Sequence, residues 1–171
     1  MMQKMFLDEK EDETKIGIMS DSHDNMDAIK KAVEIFNEEN VELVLHAGDI
    51  VSPFTAEAFK DLKCDMILIY GNNDGDKLYL RERFKNIGIF YKDPYIANLH
   101  GKNIVMTHEP NIVDALASKF DIVIYGHTHE KDLKKDKALI INPGECCGYL
   151  TGKRSIAILY PDKMIAKFID F

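Results

Sequence analysis

Five short clusters of polar residues lie between residues 21 and 129, and each one directly follows an apolar run. The clusters are Asp21-Ser22-His23, Gly48-Asp49, Gly71-Asn72-Asn73-Asp74, Thr107-His108 and Gly126-His127-Thr128-His129. They offer carboxylates, imidazoles and an amide oxygen, but no thiolate. Nitrogen and oxygen donors favour Mn²⁺, Fe²⁺, Co²⁺, Ni²⁺ or Zn²⁺ in five- or six-coordinate geometry, and they disfavour a structural zinc site built from cysteines.

Each cluster has an ordinary structural explanation when it is taken alone, because histidines after strands and Gly-Asp or Asn-Asp-Gly turns are common. Five clusters at strand ends are different, since ligands bind beyond the carboxyl ends of the strands of an open α/β sheet. Unpaired charges at that density need a cation between them. The ligands outnumber what one ion needs, so they predict two metal ions about 3.5–4 Å apart with one carboxylate bridging them.

The apolar runs before the clusters predict strands that are buried on both faces, at residues 16–19, 43–45, 66–70, 104–106 and 122–125. Helical spacing of apolar residues separates them, at residues 26–40, 54–62, 77–84 and 112–120. Further strands are predicted at residues 95–99, 138–141, 155–160 and 164–170, the last two as a hairpin. This order predicts an α/β sandwich in which parallel strands joined by helices continue into antiparallel strands.

Length and composition indicate one globular domain. The chain has 171 residues, of which 46% are hydrophobic and 30% are charged, and its formal net charge is -7. At this length roughly 70% of the surface of the unfolded chain can be buried, so the core needs no disulfide. We expect a flexible N-terminal arm at residues 1–14, because residues 8–13 are almost all acidic, and a single domain at residues 15–171.

The same composition limits the partners and the location of the protein. No apolar run approaches the ~20 residues that a membrane span needs, and the N-terminal segment has the wrong order for a secretory signal. We therefore expect a cytosolic protein that does not cross a membrane. Lysine and arginine are scattered, which argues against stable nucleic-acid binding. The sequence leaves a homo-oligomer open.

In their residue types and order, the five motifs resemble those of the calcineurin-like binuclear metallophosphoesterases. The pattern of that family is D-x-H, then G-D, then G-N-H/D-D/E, then a lone H, then G-H-x-H. The likeness runs from about residue 15 to the turn at residues 142–144, and it closely matches the short archaeal and bacterial phosphodiesterases. It implies a four-layer α/β/β/α sandwich with mixed sheets, and hydrolysis of a phosphodiester by a metal-bridging hydroxide.

The resemblance also implies a ligand set when it is carried over position by position. The implied ligands are Asp21, His23 and His129 for one ion, Asn72, His108 and His127 for the other, and Asp49 as the catalytic bridge between them. Four histidine ligands favour Mn²⁺ or Ni²⁺ over Mg²⁺, with Fe²⁺, Co²⁺ and Zn²⁺ as alternatives.

One position departs from the family pattern. Many relatives have a histidine directly after the metal-binding asparagine, where it steadies the phosphoryl oxygens or protonates the leaving group, and this chain has Asn73 there. We take Asn73 as a catalytic candidate that can donate a hydrogen bond but cannot deliver a proton at neutral pH. General acid catalysis, worth ~10²–10⁴-fold, therefore lacks an obvious donor. His46 and Glu109 lie near the motifs, and a structural role is the favoured interpretation of both.

The leading hypothesis is a metal-dependent phosphodiesterase that acts on a small or nucleotide-like diester. The first alternative keeps the site and changes the substrate to a phosphomonoester or a pyrophosphate. The second alternative is a non-catalytic interaction scaffold, because a related eukaryotic trafficking subunit uses this fold with impaired metal chemistry. Scaffold use tends to relax the ligand set, whereas every ligand position here carries a competent residue.

Overall fold

The computed structural model describes residues 13–171, which begin with an alternation of strands and helices. The first half contains β1 (Ile16–Met19), α1 (Met26–Glu39), β2 (Leu43–His46), α2 (Ala56–Phe59), β3 (Asp65–Ile69), α3 (Lys77–Phe84) and β4 (Ile89–Tyr91). The second half contains β5 (Tyr95–Leu99), β6 (Lys102–Thr107), α4 (Val113–Ala117), β7 (Ile122–Tyr125), β8 (Lys131–Lys135), β9 (Leu139–Pro143), β10 (Ser155–Tyr160) and β11 (Ile165–Asp170).

The strands form two mixed sheets. In the first sheet, with six strands in the order β11-β10-β1-β2-β3-β4, the neighbours from β1 to β4 are parallel and β10 and β11 are antiparallel additions. In the second sheet, with the order β5-β6-β7-β9-β8, the three central strands are parallel and both edge strands are antiparallel. Because neighbouring parallel strands end at the same edge of a sheet, the loops after them lie side by side.

Three buried clusters separate the layers. The first lies between helices α1 to α3 and one face of the first sheet, and it includes Phe36 and Phe59. The second fills the space between the two sheets, with Ile18 and Ile124 among its members. The third packs α4 against the far face of the second sheet through Val113. The predicted four-layer α/β/β/α sandwich with mixed sheets is therefore confirmed.

Where elements differ from the sequence prediction, the cause is local. The helices predicted at residues 54–62 and 112–120 are shorter, because each begins as a 3₁₀ turn at a proline, at Pro53–Thr55 and Pro110–Ile112. Strands β4 and β8 are absent from the prediction. Strand β4 has only three residues, and β8 has a single apolar residue. Neither has a recognisable hydrophobic pattern, so these strands are defined only by their pairing with the neighbouring strand.

The predicted arm at residues 1–14 lies almost entirely outside the described residues, so the division into an arm and a domain stays a prediction. Its described end contacts the domain, because Glu13 pairs with Lys163 and Thr14 lies next to His100. Within residues 13–171, no helix has the length and apolar character that crossing a bilayer requires.

Candidate metal centre

The loops after five strands carry the predicted motifs and meet at one end of the sandwich. Each motif lies just beyond the carboxyl end of β1, β2, β3, β6 or β7. Contacts of under 4 Å connect the predicted ligand residues, which are Asp21, His23, Asp49, Asn72, His108, His127 and His129.

The first ligand group is the set of residues predicted to hold one ion, Asp21, His23 and His129. Asp21 Oδ1 lies 3.7 Å from His23 Nε2 and 3.4 Å from His129 Nε2. The other oxygen of Asp21 accepts hydrogen bonds from Ser20 Oγ and from the backbone amide of His127. Asp21 Oδ1 and His23 Nε2, in contrast, are buried and have no hydrogen-bond partner among the described residues. Two buried polar atoms that face each other without a partner fit a cation between them.

The second ligand group is the set of residues predicted to hold the other ion, Asn72, His108 and His127. Asn72 Oδ1 lies 2.9 Å from His108 Nε2 and 2.8 Å from His127 Nδ1, so one amide oxygen and two ring nitrogens converge. His108 is buried, and its Nδ1–H donates to the carbonyl of Ala47 at 2.8 Å, which turns Nε2 towards Asn72. A ring held in this way by a second hydrogen bond is typical of metal-ligating histidines.

Asp49 lies between the two groups. Its Oδ2 atom is 3.4 Å from His23 Nε2 of the first group and 3.5 Å from His108 Nε2 of the second. Burial raises the pKa of Asp49, but hydrogen bonds with His108 and Asn73 outweigh burial and hold the pKa well below its usual range. Asp49 is therefore ionised at neutral pH, and a carboxylate can bridge two cations where a neutral imidazole cannot.

The pKa values of two histidines indicate how strongly the cleft favours positive charge. The carboxylates of Asp21 and Asp49, which lie 3.7 and 3.4 Å from its Nε2 atom, raise the pKa of His23. Burial lowers the pKa of His108, but the hydrogen bond with Asp49 outweighs burial and raises the pKa to about 9. The raised pKa of both rings shows that the two buried carboxylates favour positive charge at the positions that cations would occupy. The donor set and its electrostatics thus fit divalent metal ions.

Several of the candidate ligands have left-handed backbone conformations. The φ angles are 51° at Asp21, 36° at His23, 61° at Asp49, 72° at His127 and 63° at His129. Residues other than glycine adopt this region at a cost of order 1–3 kcal/mol each, and they cluster where function fixes the direction of a side chain. The motifs therefore fold into turns that sacrifice local stability to aim their side chains at the cleft.

Asp74, the last residue of its motif, connects two of the loops. Its buried carboxylate accepts hydrogen bonds from the backbone amides of Asp49, Ile50, Val51 and Gly71, with donor–acceptor distances from 2.7 to 3.0 Å. These bonds join the loop after β2 to the loop after β3. The motif contains Asp74, but the sequence does not reveal that this carboxylate binds backbone amides.

Asn73 contacts Asp49 directly. Its side-chain Nδ2 donates to Asp49 Oδ2 at 2.7 Å, and its backbone amide donates to Asp49 Oδ1 at 2.9 Å. The residue is exposed at the mouth of the cleft. The structure therefore places Asn73 beside the candidate bridge, and its catalytic part stays a prediction.

The two other residues near the motifs are placed differently. His46 is fully buried, where its Nδ1 accepts from the Gly48 amide and its Nε2–H donates to Ser22 Oγ. Burial lowers the pKa of His46 to about 3, so the ring is neutral and connects the first two motifs. Glu109 is exposed. A buried neutral ring has no proton to deliver to a leaving group at neutral pH.

Glu145 is a site residue that the sequence analysis does not single out. It is fully buried, and its Oε2 atom accepts a hydrogen bond from His129 Nδ1–H at 2.7 Å. Its only sequence signal is a carboxylate directly after the Pro143-Gly144 turn, a pattern that is equally typical of an ordinary surface loop.

Gly71 lies so close to Asp49 that there is no room for a side chain at this position. A Cβ at Gly71 would lie 2.1 Å from Asp49 Oδ1, whereas a Cβ at Gly75, four residues along the same loop, would meet no atom within 4 Å. Gly71→Ala is expected to displace Asp49, to destabilise the fold by about 1–3 kcal/mol, and to weaken metal binding. Gly75→Ala is the matched control. Equal melting temperatures and equal Mn²⁺ affinities for the two variants would contradict this prediction.

Comparison with known proteins agrees with the motifs and the fold. Residues 14–164 match the model of the calcineurin-like phosphoesterase superfamily domain. Phosphodiesterase MJ0936 of Methanocaldococcus jannaschii is 47% identical over 156 residues, which cover 87% of this chain and 94% of that protein. The solved structure of a novel archaeal phosphodiesterase superposes with a TM-score of 0.87 at 43% identity, and the match covers 92% of this chain and 100% of that one.

A more distant structure shares the fold alone. A Vps29 protein from Entamoeba histolytica superposes with a TM-score of 0.67 at 15% identity, and the match covers 92% of this chain and 99% of that one. The family predicted from the motifs is confirmed by the domain match over residues 14–164 and by the 47% identity to an archaeal relative. The chain belongs to the calcineurin-like phosphoesterase superfamily and is a hydrolase of that class.

Proposed function

We propose that this protein is a phosphodiesterase that depends on two divalent transition-metal ions, for which Mn²⁺ and Ni²⁺ are the favoured candidates. The observation that carries the proposal is the position of Asp49 Oδ2, at 3.4 Å from His23 in one ligand group and 3.5 Å from His108 in the other. The archaeal relative with 47% identity, which is named a phosphodiesterase, supports the same reaction.

Each ligand group has a part in holding the ions. The first group would hold one ion through Asp21 Oδ1 and the Nε2 atoms of His23 and His129. The second group would hold the other through Asn72 Oδ1, whose amide adds no negative charge, and its two histidines. When bound, two such ions lower the pKa of a water molecule to make a nucleophile and stabilise the charge that develops on the phosphoryl oxygens.

The charge of the loaded cleft explains how an acidic chain attracts a phosphate. The net charge of the chain is -7, and lysine and arginine do not cluster at the motifs. Asp21 and Asp49 contribute two negative charges to the ligand set, and two divalent cations contribute four positive ones. The cleft therefore becomes cationic, and the bound ions are the local attractor for an anionic diester.

The substrate class that we favour follows from Asn73. Without a proton donor at this position the leaving group must depart on its own acidity, so good leaving groups such as aryl alcohols are favoured. A phosphomonoester carries a second negative charge and needs more hydrogen-bond donors around its oxygens than Asn73 supplies. We therefore favour a small diester over a monoester or a pyrophosphate.

The test of the proposed function compares an aryl phosphodiester with the matching monoester at equal Mn²⁺ or Ni²⁺ loading. We expect the wild-type protein to hydrolyse the diester faster. Preference for the monoester would favour the first alternative, and full metal loading without hydrolysis of any ester would favour the interaction scaffold. Every ligand position of the family pattern carries a metal-competent residue in this sequence, which argues against the scaffold. The cytosolic location and the oligomeric state stay predictions.

Asn73→His tests whether this position determines the substrate class. A histidine there can donate a proton or bind a phosphoryl oxygen more strongly, so we expect the ratio of monoesterase to diesterase activity to rise by ~10-fold or more. The ratio is measured with the two aryl esters at equal metal content. An unchanged ratio would mean that the leaving group takes its proton from another source.

A further inference from the structure

We propose that Glu145 is a positioning residue for the first ligand group: it orients His129 and connects that group to the surface loop at residues 149–151. The inference rests on the proposed metal centre. Glu145 is fully buried, and its carboxylate accepts from the ring of one candidate ligand and from the donors of a surface loop.

The contact with His129 determines which ring nitrogen faces the cleft. Glu145 Oε2 accepts from His129 Nδ1–H at 2.7 Å, and the opposite nitrogen, Nε2, lies 3.4 Å from Asp21 Oδ1. A carboxylate that accepts from one nitrogen fixes the tautomer in which the other nitrogen has a free lone pair, and it increases the basicity of that nitrogen. Glu145 thus prepares His129 to bind a metal through Nε2.

The backbone around Glu145 also holds the first group together. The amide of Glu145 donates to the carbonyl of His129 at 3.2 Å, and the amide of Cys147 donates to the carbonyl of Asp21 at 3.1 Å. Between them, the amide of Cys146 donates to the carbonyl of Ser20 at 2.9 Å. Residues 145–147 therefore join the loop after β1 to the loop after β7, which carry the ligands of one ion.

The same carboxylate holds the loop at residues 149–151. It accepts from the backbone amides of Tyr149 at 3.1 Å, Leu150 at 3.0 Å and Thr151 at 2.5 Å, and from Thr151 Oγ1 at 2.7 Å. Cys147 Sγ donates to it as well, at 3.2 Å. The side chains of Tyr149 and Leu150 are 61% and 75% exposed. One buried side chain thus connects a candidate ligand to an apolar surface loop.

A glutamine at this position has the same shape but the wrong hydrogen-bonding groups. Every group that contacts the side-chain carboxylate of Glu145 donates a hydrogen bond to it. Hydrogen bonds to a charged acceptor are stronger than those to a neutral one. A carboxamide has one acceptor oxygen and one NH₂ group, so its NH₂ group must face donors either at His129 or at the loop. Glu145→Gln therefore breaks the connection without leaving a cavity.

The test measures Mn²⁺ binding by equilibrium dialysis with the wild-type protein and with Glu145→Gln. We expect two bound ions in the wild type, and in the variant a ~10–100-fold loss of affinity for one ion while the other is unchanged. In Glu145→Gln, excess Mn²⁺ should restore kcat to a greater extent than kcat/KM. Both constants should stay low when Mn²⁺ is limiting. Glu145→Asp, which keeps the charge on a shorter side chain, should lose less affinity than the glutamine variant.

Two further variants separate the orienting role from a merely structural one. Thr151→Val removes a loop contact of Glu145 but leaves the bond to His129, so Mn²⁺ affinity should stay within ~2-fold of wild type. In a protein that already carries His129→Ala, adding Glu145→Gln should cost almost no further affinity, because the residue through which Glu145 acts is gone. Equal losses in both backgrounds, or loss of both ions together, would overturn the inference.

The outcome also distinguishes this inference from the proposed function. Two tightly bound Mn²⁺ ions in both the wild type and Glu145→Gln would leave the two-metal site intact and refute only the role of Glu145. A wild-type protein that binds no Mn²⁺ would refute both. Weaker binding of only one ion in Glu145→Gln, together with diesterase activity in the wild type, would support both the role of Glu145 and the proposed function.

Discussion

Asp49→Asn is expected to lower kcat for an aryl phosphodiester by about 10³-fold or more, and to reduce bound metal from two ions per chain towards one or none. The expectation follows from the position of Asp49 Oδ2 between His23 and His108, at 3.4 and 3.5 Å. An amide oxygen in that place carries no negative charge and binds two cations poorly. Metal content and steady-state kinetics of the purified variant measure both effects.

The surroundings of Asp49 make an asparagine there doubly unfavourable. Asp49 Oδ1 accepts from the backbone amide of Asn73, and Asp49 Oδ2 accepts from the side-chain amide of the same residue. In either orientation the NH₂ group of a new asparagine would face a donor. The cost of one unsatisfied buried donor, about 1–3 kcal/mol, therefore adds to the loss of the charge.

Two comparison variants test the specificity of that loss. His23→Ala removes a ligand from one ion only, so it should lose less activity than Asp49→Asn. His100→Ala lies outside the motifs, in the turn between β5 and β6, where the ring contacts Glu42, and it should stay near wild type. If Asp49→Asn kept two tightly bound ions and most of its rate, the bridging assignment would be wrong.

Much of the fold was predictable because buried strands and helices leave a characteristic pattern of apolar residues in the sequence. The runs at residues 16–19 and 122–125 are continuous and apolar, and both form strands in which all four residues are buried. The helix after the first motif has apolar spacing and a capping Asn25, whose side chain accepts from the Ala28 amide. Strand β8, in contrast, is an exposed edge with one apolar residue, so only its pairing with β9 defines it.

The candidate site divides in the same way between what the sequence shows and what it does not. The ligand residues recur at strand ends, and parallel topology brings strand ends together, so their convergence followed from the sequence pattern. Asp74 and Glu145 instead act on partners that are distant in the chain or that belong to the backbone. Asp74 accepts from amides up to 25 residues away and Glu145 from a ring 16 residues away. No local spacing reports such contacts.

Removal of the metal is expected to abolish hydrolysis, and Mn²⁺ or Ni²⁺ should restore it better than Mg²⁺. The candidate ligands include four histidines, and imidazole nitrogen suits these transition metals, whereas Mg²⁺ takes oxygen ligands and keeps its water. Neither His46 nor Asn73 offers a substitute for the ions. His46, whose pKa falls to about 3, is neutral, and Asn73 carries no titratable proton.

The measurement is diester hydrolysis after exhaustive chelation and dialysis, followed by titration with each ion. Metal removal should also lower the melting temperature, because the unpaired Asp21 Oδ1 and His23 Nε2 lose the cation that would satisfy them. The drop should be smaller in His23→Ala, which has already lost one of these two atoms. Full hydrolysis by the chelated protein would eliminate the two-metal mechanism.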